Sequence, residues 1–235
     1  MKKYVVITGG SGRIGTAICK ALPENKYNIT LLDRKPSETD HVLVLDIVKE
    51  SLRLKNTLIS SDAIIHLAWD SRENWKSGIA VPENKTMIEN VYQCAKEAGV
   101  RRVIMASSIH ADARFYTHKG EVIKTDIETP EPDSPYGATK LWMEALGRQY
   151  AKQDGLEVIC IRFGGLTPDN TLRPEPLAEK IWLHTEDCVS LVKTCIDAPE
   201  VPGNFCIIYG ISNNTSRIHD LGNPFGWVPK HDFAK

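Results

Sequence analysis

Tyr136 and Lys140 stand four residues apart in the stretch SPYGATK (134 to 140). A helix turns once in about 3.6 residues, so the two side chains share a face and can answer to one ligand. Ser134 is a capping residue type and Pro135 suits a first helical position, so the stretch reads as a helix start that opens into the pair. A free phenol has a pKa of about 10, too high for a base at neutral pH, and each well-placed cation lowers such a value by roughly 1 to 3 units. Lys140 is such a cation. The bare pair equally suits a solvated helix face, so its meaning depends on what the rest of the chain brings to it.

A second constellation lies near the start. VVITGGSGRIG can be parsed as G-x-G-x-x-G at Gly10, Gly12 and Gly15, or as T-G-x-x-G-x-x-G at Thr8, Gly9, Gly12 and Gly15. Glycines between a strand and a helix let backbone approach a pyrophosphate, and the helix start offers unpaired N–H groups and a positive dipole end. Asp33 ends the next apolar run, where a carboxylate accepts hydrogen bonds from an adenine-ribose diol. A glycine-rich turn without a ligand is the alternative, and Asp33 weighs against it. The same carboxylate repels a 2′-phosphate and favours NAD over NADP, while the neighbouring Arg34 pulls the other way. Asp46, ending the third apolar run, is placed either at the adenine edge or as a solvated strand-end acid.

These groups need a scaffold, and the chain supplies an alternating one. Strands are expected at 4 to 8, 28 to 33, 41 to 46, 62 to 69, 102 to 108, 157 to 163 and 204 to 210. Helices are expected near 13 to 21, 48 to 57, 82 to 98, 136 to 153 and 186 to 197. Strands that are apolar along most of their length imply cover on both faces, so the fold class is α/β, a doubly wound parallel sheet of the Rossmann type. The expected organisation is a single domain over 1 to 235. Its cofactor-binding core spans 1 to 163 and 185 to 210, with small substrate-binding segments at 164 to 184 and 211 to 235. The irregular stretches (70 to 81, 109 to 135, 164 to 184 and 211 to 235) follow strand carboxyl ends, the edge where such sheets bind ligands.

Composition narrows the chemistry. With 29 basic and 30 acidic residues the net charge is −1, so no broad field favours nucleic acid or an anionic membrane, and a small-molecule partner is expected. The six cysteines are scattered and show no C-x-x-C, which suits a reducing compartment. The opening apolar run is too short for a signal peptide and no later run approaches a membrane span, so the expectation is a cytoplasmic protein. His66, His110, His118 and His184 fall into no standard ligand spacing, so no metal is expected. The amphipathic helices at 82 to 98 and 136 to 153 are the candidate faces of a homo-oligomer.

Taken together, T-G-x-x-G-x-x-G, HLA (66 to 68), Asn84 early in the following helix, Ser107-Ser108 and Y-x-x-x-K resemble the extended, epimerase-like branch of the short-chain dehydrogenase/reductase superfamily. Within it, ASSIH (106 to 110), RFGGLTPDNTLR (162 to 173), WLHTEDCVSL (182 to 191) and GWVPK (226 to 230) are similar to segments of uronate dehydrogenases. That group oxidises the anomeric carbon of a sugar acid to a lactone with NAD.

The resemblance implies Tyr136 as the base, Ser108 as the group that holds the reacting oxygen, and Lys140 as the residue that binds the nicotinamide ribose and keeps Tyr136 acidic. It implies NAD contacts at Gly9, Gly12, Arg13, Ile14, Gly15, Asp33, Asp46, Ile47, Leu67, Ala68 and Asn84, and substrate contacts at Ser71, Ser108, His110 and Arg173. A guanidinium fork such as that of Arg173 pairs with a carboxylate for about 1.5 to 3 kcal/mol, and would also match a phosphate. Ile109 and Gly165 stand where the group has asparagine and serine, so two hydrogen-bonding side chains for sugar hydroxyls are absent. The rival enzyme readings are a sugar-phosphate dehydrogenase and a nucleotide-sugar epimerase or dehydratase. A non-catalytic dinucleotide sensor is the rival outside enzymes, and it has no use for Ser108, Tyr136 and Lys140 together.

Overall fold

Apolar runs without alternation, such as AIIH (63 to 66) and EVICIRF (157 to 163), are buried along their whole length, as strands covered on both faces must be. The computed structural model describes residues 2–36, 42–117, 120, 122–125 and 129–235. Its seven strands are β1 (Lys3–Thr8), β2 (Tyr27–Asp33), β3 (Val42–Val44), β4 (Ala63–His66), β5 (Arg102–Ser108), β6 (Glu157–Phe163) and β7 (Phe205–Gly210). They form one parallel sheet in the order β3-β2-β1-β4-β5-β6-β7. The order reverses between β1 and β4, so the connections leave those strands in opposite directions and open a crevice at their carboxyl ends.

The helices are α1 (Arg13–Ala21), α2 (Ser51–Leu58), α3 (Pro82–Ala98), α4 (Pro135–Asp154), α5 (Ala178–Ile181) and α6 (Thr185–Asp197). Ile18 of α1 and Leu191, Val192 and Cys195 of α6 pack with Ile7, Ile65 and Ile159 on one side of the sheet. Leu54 of α2, Ile88 and Val91 of α3, and Met143 of α4 pack with Val6, Ile64 and Val158 on the other. The structure thus has the expected doubly wound order. Three boundaries differ most, the first being β4, which ends at His66 and not at 69. The third strand is shorter than the apolar run 41 to 46, whose first residue lies outside the described residues. The second helix starts at Ser51 because Asp46 folds the chain into a turn, its carboxylate accepting from the Val48 N–H at 3.0 Å.

Helix α4 begins where the sequence places it. Ser134 Oγ accepts from the Gly137 N–H at 3.1 Å, and Pro135 fills the first position. Gly137 lets the helix seat: a Cβ there would lie 2.1 Å from the His110 carbonyl oxygen. The seat is locked by charge. Arg162 of β6 is 1% exposed and forks onto Glu144 of α4, with Nε 2.9 Å from Oε1 and Nη2 2.7 Å from Oε2. Ser107 of β5 donates to the same Oε1 at 2.6 Å, and Asp112 stands 3.5 Å from the guanidinium. A buried pair adds little over an apolar substitute, but losing one partner strands the other. Glu144→Ala is therefore expected to cost about 3 to 5 kcal/mol in urea denaturation, and Glu144→Leu combined with Arg162→Met to cost clearly less.

Candidate active site

The loop between β1 and α1 lies flat against the exit of β4. Gly9 has φ +70°, and a Cβ on it would meet the Ala68 nitrogen at 2.7 Å, so only glycine permits this approach. Gly12 caps α1 without a side-chain hydrogen bond, which leaves the helix start available to an anion. On one side of the loop is a recess of about 360 Å³ lined by Asp33, Asp46, Ile47, Leu67 and Ala68 among others. Asp33 is oriented by two backbone donors, Ser11 N at 3.1 Å and Lys35 N at 3.2 Å. Arg34 leans on Asp70 at 3.4 Å, and Arg72 forks onto the same carboxylate with two contacts of 3.0 Å. Those bonds, Arg72 foremost, hold Asp70 down to about 2.

Asn84, expected beside the cofactor, is fully buried and is absent from the lining of both recesses. Its side chain instead ties the loop after β4, accepting from Asp70 N at 2.7 Å and donating to Glu73 Oε2 at 3.0 Å. A polar residue early in a helix that follows a strand serves such a loop as readily as a ligand.

On the other side of the glycine loop the crevice widens to about 450 Å³, and Arg13, Ile14, Gly15, Ser71, Ser108, His110, Tyr136, Lys140 and Arg173 all line it. Tyr136 packs against the edge of Trp69, with centroids 5.4 Å apart. Burial raises its pKa above the ordinary phenol value, while a hydrogen bond with Ser108 and then the charge of Arg173 pull it down. Ser108 Oγ also accepts from His110 N at 3.2 Å. His110 is buried, pairs through Nδ1 with Asp133 at 2.5 Å and stacks on Trp75 with centroids 5.0 Å apart; burial lowers its pKa against the pull of Asp133.

Lys140 stands beside Tyr136, its Nζ 5.6 Å from the centre of the phenol ring. Its Nζ donates to the Ala106 carbonyl at 2.6 Å and sits 3.6 Å over the Trp69 ring, and burial drops its pKa to about 7. Arg173 also bears on the phenol through its charge. Its Nη2 donates to the Leu166 carbonyl at 3.2 Å, and Arg13 Nη1 reaches the same oxygen at 2.8 Å. Among the described residues neither guanidinium has an acidic partner.

The walls differ in origin from the expected ones. Trp69, Glu73 and Trp75 come from the loop after β4, and Lys76 pairs with Glu175 across the rim at 2.8 Å. None of the lining residues comes from 211 to 235; that segment stands behind, with Asn214 donating to the Trp182 carbonyl at 2.9 Å. Sequence reading missed the tryptophans and Glu73, whose one signal was an irregular stretch following a strand carboxyl end. It also missed that His184, Glu186 and His231 meet, their donor atoms within 4.8 Å of one another, because 45 residues separate Glu186 from His231. The rings of His184 and His231 stack at 3.6 Å, and His184 Nδ1 accepts from Glu186 N at 3.2 Å as the cap of α6. That bond leaves the neutral ring's proton on Nε2, which makes His184 a poor metal ligand. His118 lies outside the described residues.

A dinucleotide-binding crevice joined to a Ser-Tyr-Lys pocket on a doubly wound sheet is the arrangement of an NAD-dependent dehydrogenase of the short-chain dehydrogenase/reductase type. Residues 5–181 match the model of the NAD dependent epimerase/dehydratase family, and the chain belongs to that family. It is 28% identical to an NAD-dependent glucose-6-phosphate dehydrogenase of Haloferax volcanii, over 100% of this chain and 96% of that one. It is 30% identical to a uronate dehydrogenase of Pseudomonas putida, over 96% of this chain and 83% of that one. The solved structure of glucuronic acid dehydrogenase from Chromohalobacter salexigens superposes with a TM-score of 0.82 at 26% identity, covering 99% and 86% of the two chains. The cofactor is NAD, which the glycine approach at Gly9, the open start of α1 and the oriented Asp33 all suit. Among the described residues no helix is long and apolar enough to cross a membrane.

One feature of the crevice is measurable without ligand. His66 is 2% exposed with Nδ1 2.7 Å from Thr8 Oγ1, and burial, then Lys140, holds its pKa at about 3. An unfolded histidine takes a proton near pH 6.5 while this one does not until about pH 3, so its contribution is intact above 6.5 and declines as pH falls through that window. About 2 kcal/mol of stability is expected to go by pH 5, and His66→Gln should flatten that part of a urea-midpoint against pH curve.

Proposed function

We propose that the protein oxidises the hydroxyl on the anomeric carbon of a sugar or sugar acid to a lactone, with NAD as acceptor and Tyr136 as base. The observation that carries the reading is the meeting of Ser108, Tyr136 and Lys140 on one wall of a crevice whose other end is formed by the glycine loop and Asp33. NAD, when bound, supplies the electrophilic ring that accepts the hydride from that carbon. The protein's part is position and charge. Ser108 holds the sugar oxygen, and Tyr136 as phenolate takes the hydroxyl proton. Lys140 serves the ribose side, and Gly9, Gly12, Arg13, Ile14, Gly15, Asp33, Asp46, Ile47, Leu67 and Ala68 form the dinucleotide's bed. The unit so described is a single domain, with the cofactor core and the segment 164 to 184 sharing one crevice.

Arg173 is assigned to an anionic group on the substrate, since it lines the sugar end and lacks an acidic partner among the described residues. Ser71 and His110 are assigned to hydroxyls. A carboxylate and a phosphate both fit a guanidinium fork, so the sugar-phosphate reading stands beside the uronate one, favoured by the likeness to the Haloferax volcanii enzyme across both chains. A panel of uronates, aldoses and sugar phosphates, followed by NADH absorbance, separates the two.

Tyr136→Phe is expected to reduce turnover by at least about a thousandfold with NAD affinity within a few fold, and full activity in this variant would remove the phenol from the mechanism. Arg173→Ala should raise KM for the acidic substrate by about ten to a hundredfold. A neutral aldose should lose much less; equal losses on both would reject the assignment.

A further inference from the structure

Glu73 is 1% exposed, yet its side chain belongs to the wall that also carries Tyr136 and Lys140. Its Oε2 accepts from the Val81 N–H at 2.9 Å and from the Asn84 amide at 3.0 Å. Its Oε1 is buried with no hydrogen-bond partner. A buried acceptor left unmade costs about 1 to 3 kcal/mol and a charged one more, so such an oxygen in a pocket wall calls for an explanation. Both partners of Oε2 are neutral, and no ion pair among the described residues offsets the carboxylate.

Lys140 is the mirror case. It is 5% exposed, and its ammonium has for company a carbonyl and an indole face, both uncharged. The groups that face it are Glu73 from the loop after β4, His66 from β4, Tyr136 and Glu144 from α4, and Cys160 from β6. Glu144 is already matched by the Arg162 fork. Burial keeps the Cys160 thiol, the Tyr136 phenol and the His66 ring uncharged near neutral pH. One unmatched carboxylate therefore remains opposite one unmatched ammonium.

We propose that Glu73 is the counter-charge of Lys140, a positioning residue that keeps the lysine cationic in a pocket too dry to do so by itself. It acts without a direct ion pair, which leaves the ammonium free to donate to a ligand. In keeping with this, Glu73 is the largest of the influences that hold Lys140 up against the pull of burial. The inference rests on the reading of Tyr136 and Lys140 as the reacting pair, and extends that pair to the wall beside it.

The test is a pH titration of the NAD-loaded protein carrying lysine labelled with ¹³C at Cε, with the Lys140 signal assigned through Lys140→Met. Glu73→Gln should lower the Lys140 midpoint by about half a pH unit or more, and Glu73→Asp should recover most of that shift. Turnover of Glu73→Gln on any substrate found active should then fall progressively as pH rises through the new midpoint. An unchanged midpoint overturns the proposal. So does a loss confined to the sugar KM and equal at every pH, which would make Oε1 an acceptor for a substrate hydroxyl. A shifted midpoint with unaltered turnover keeps the counter-charge and instead removes Lys140 from the reaction. If Glu73→Gln does not fold, thermal melting of Lys140→Met decides: adding Glu73→Gln to it removes the stranded charge and should raise the melting temperature, whereas a further fall counts against the pairing.

Discussion

The two-pronged bond between Arg162 and Glu144 sets the geometry of the crevice. It joins the carboxyl end of β6 to α4, and through Ser107 it draws the end of β5 to the same carboxylate. Three elements thus register on one pair of oxygens. Tyr136, Lys140 and Glu144 follow one another at intervals of four along α4, so they form a line on one helix face. The structural charge at one end of that line fixes the height of the chemical groups at the other. Ser108 is the neighbour of Ser107 in β5, so it gains its place by the same bond.

Much of this was legible from residue types. The glycine run, the acid at the end of β2 and the serine-proline start of α4 each express a local backbone requirement, and local requirements survive folding unchanged. The fold class followed from strands too apolar to face water. Harder to read were groups whose role is set by a neighbour far along the chain. Asn84 carries the same side chain whether it touches a ligand or ties a loop, and the loop it ties is decided by how α3 enters the sheet. Glu73 and Trp75 sit in a stretch with no periodicity to mark them. Lys140 was marked by its spacing to Tyr136, but its companions Trp69 and Ala106 were not, because they come from two other strands' ends.

The crevice is also divided electrically. Around the oriented Asp33, the recess has its arginines tied up by Asp70, so the acid there faces a ligand's hydroxyls with little competition. The wider half presents Arg13 and Arg173 unneutralised, with the phenol among aromatic rings between them and the lysine. The two ends of the slot thus suit a neutral diol and a negatively charged group respectively. The segment 211 to 235 contributes to this only by propping Trp182 and the chain around it from behind.

The carbonyl of Leu166 receives both Arg13 from the nucleotide loop and Arg173 from the sugar wall. Two compartments that share one oxygen atom are not thermodynamically independent. Whatever draws Arg13 away leaves Arg173 as the sole donor on that oxygen, and the converse holds with equal free energy. The two guanidiniums are therefore linked through a main-chain atom that a ligand of either need not touch.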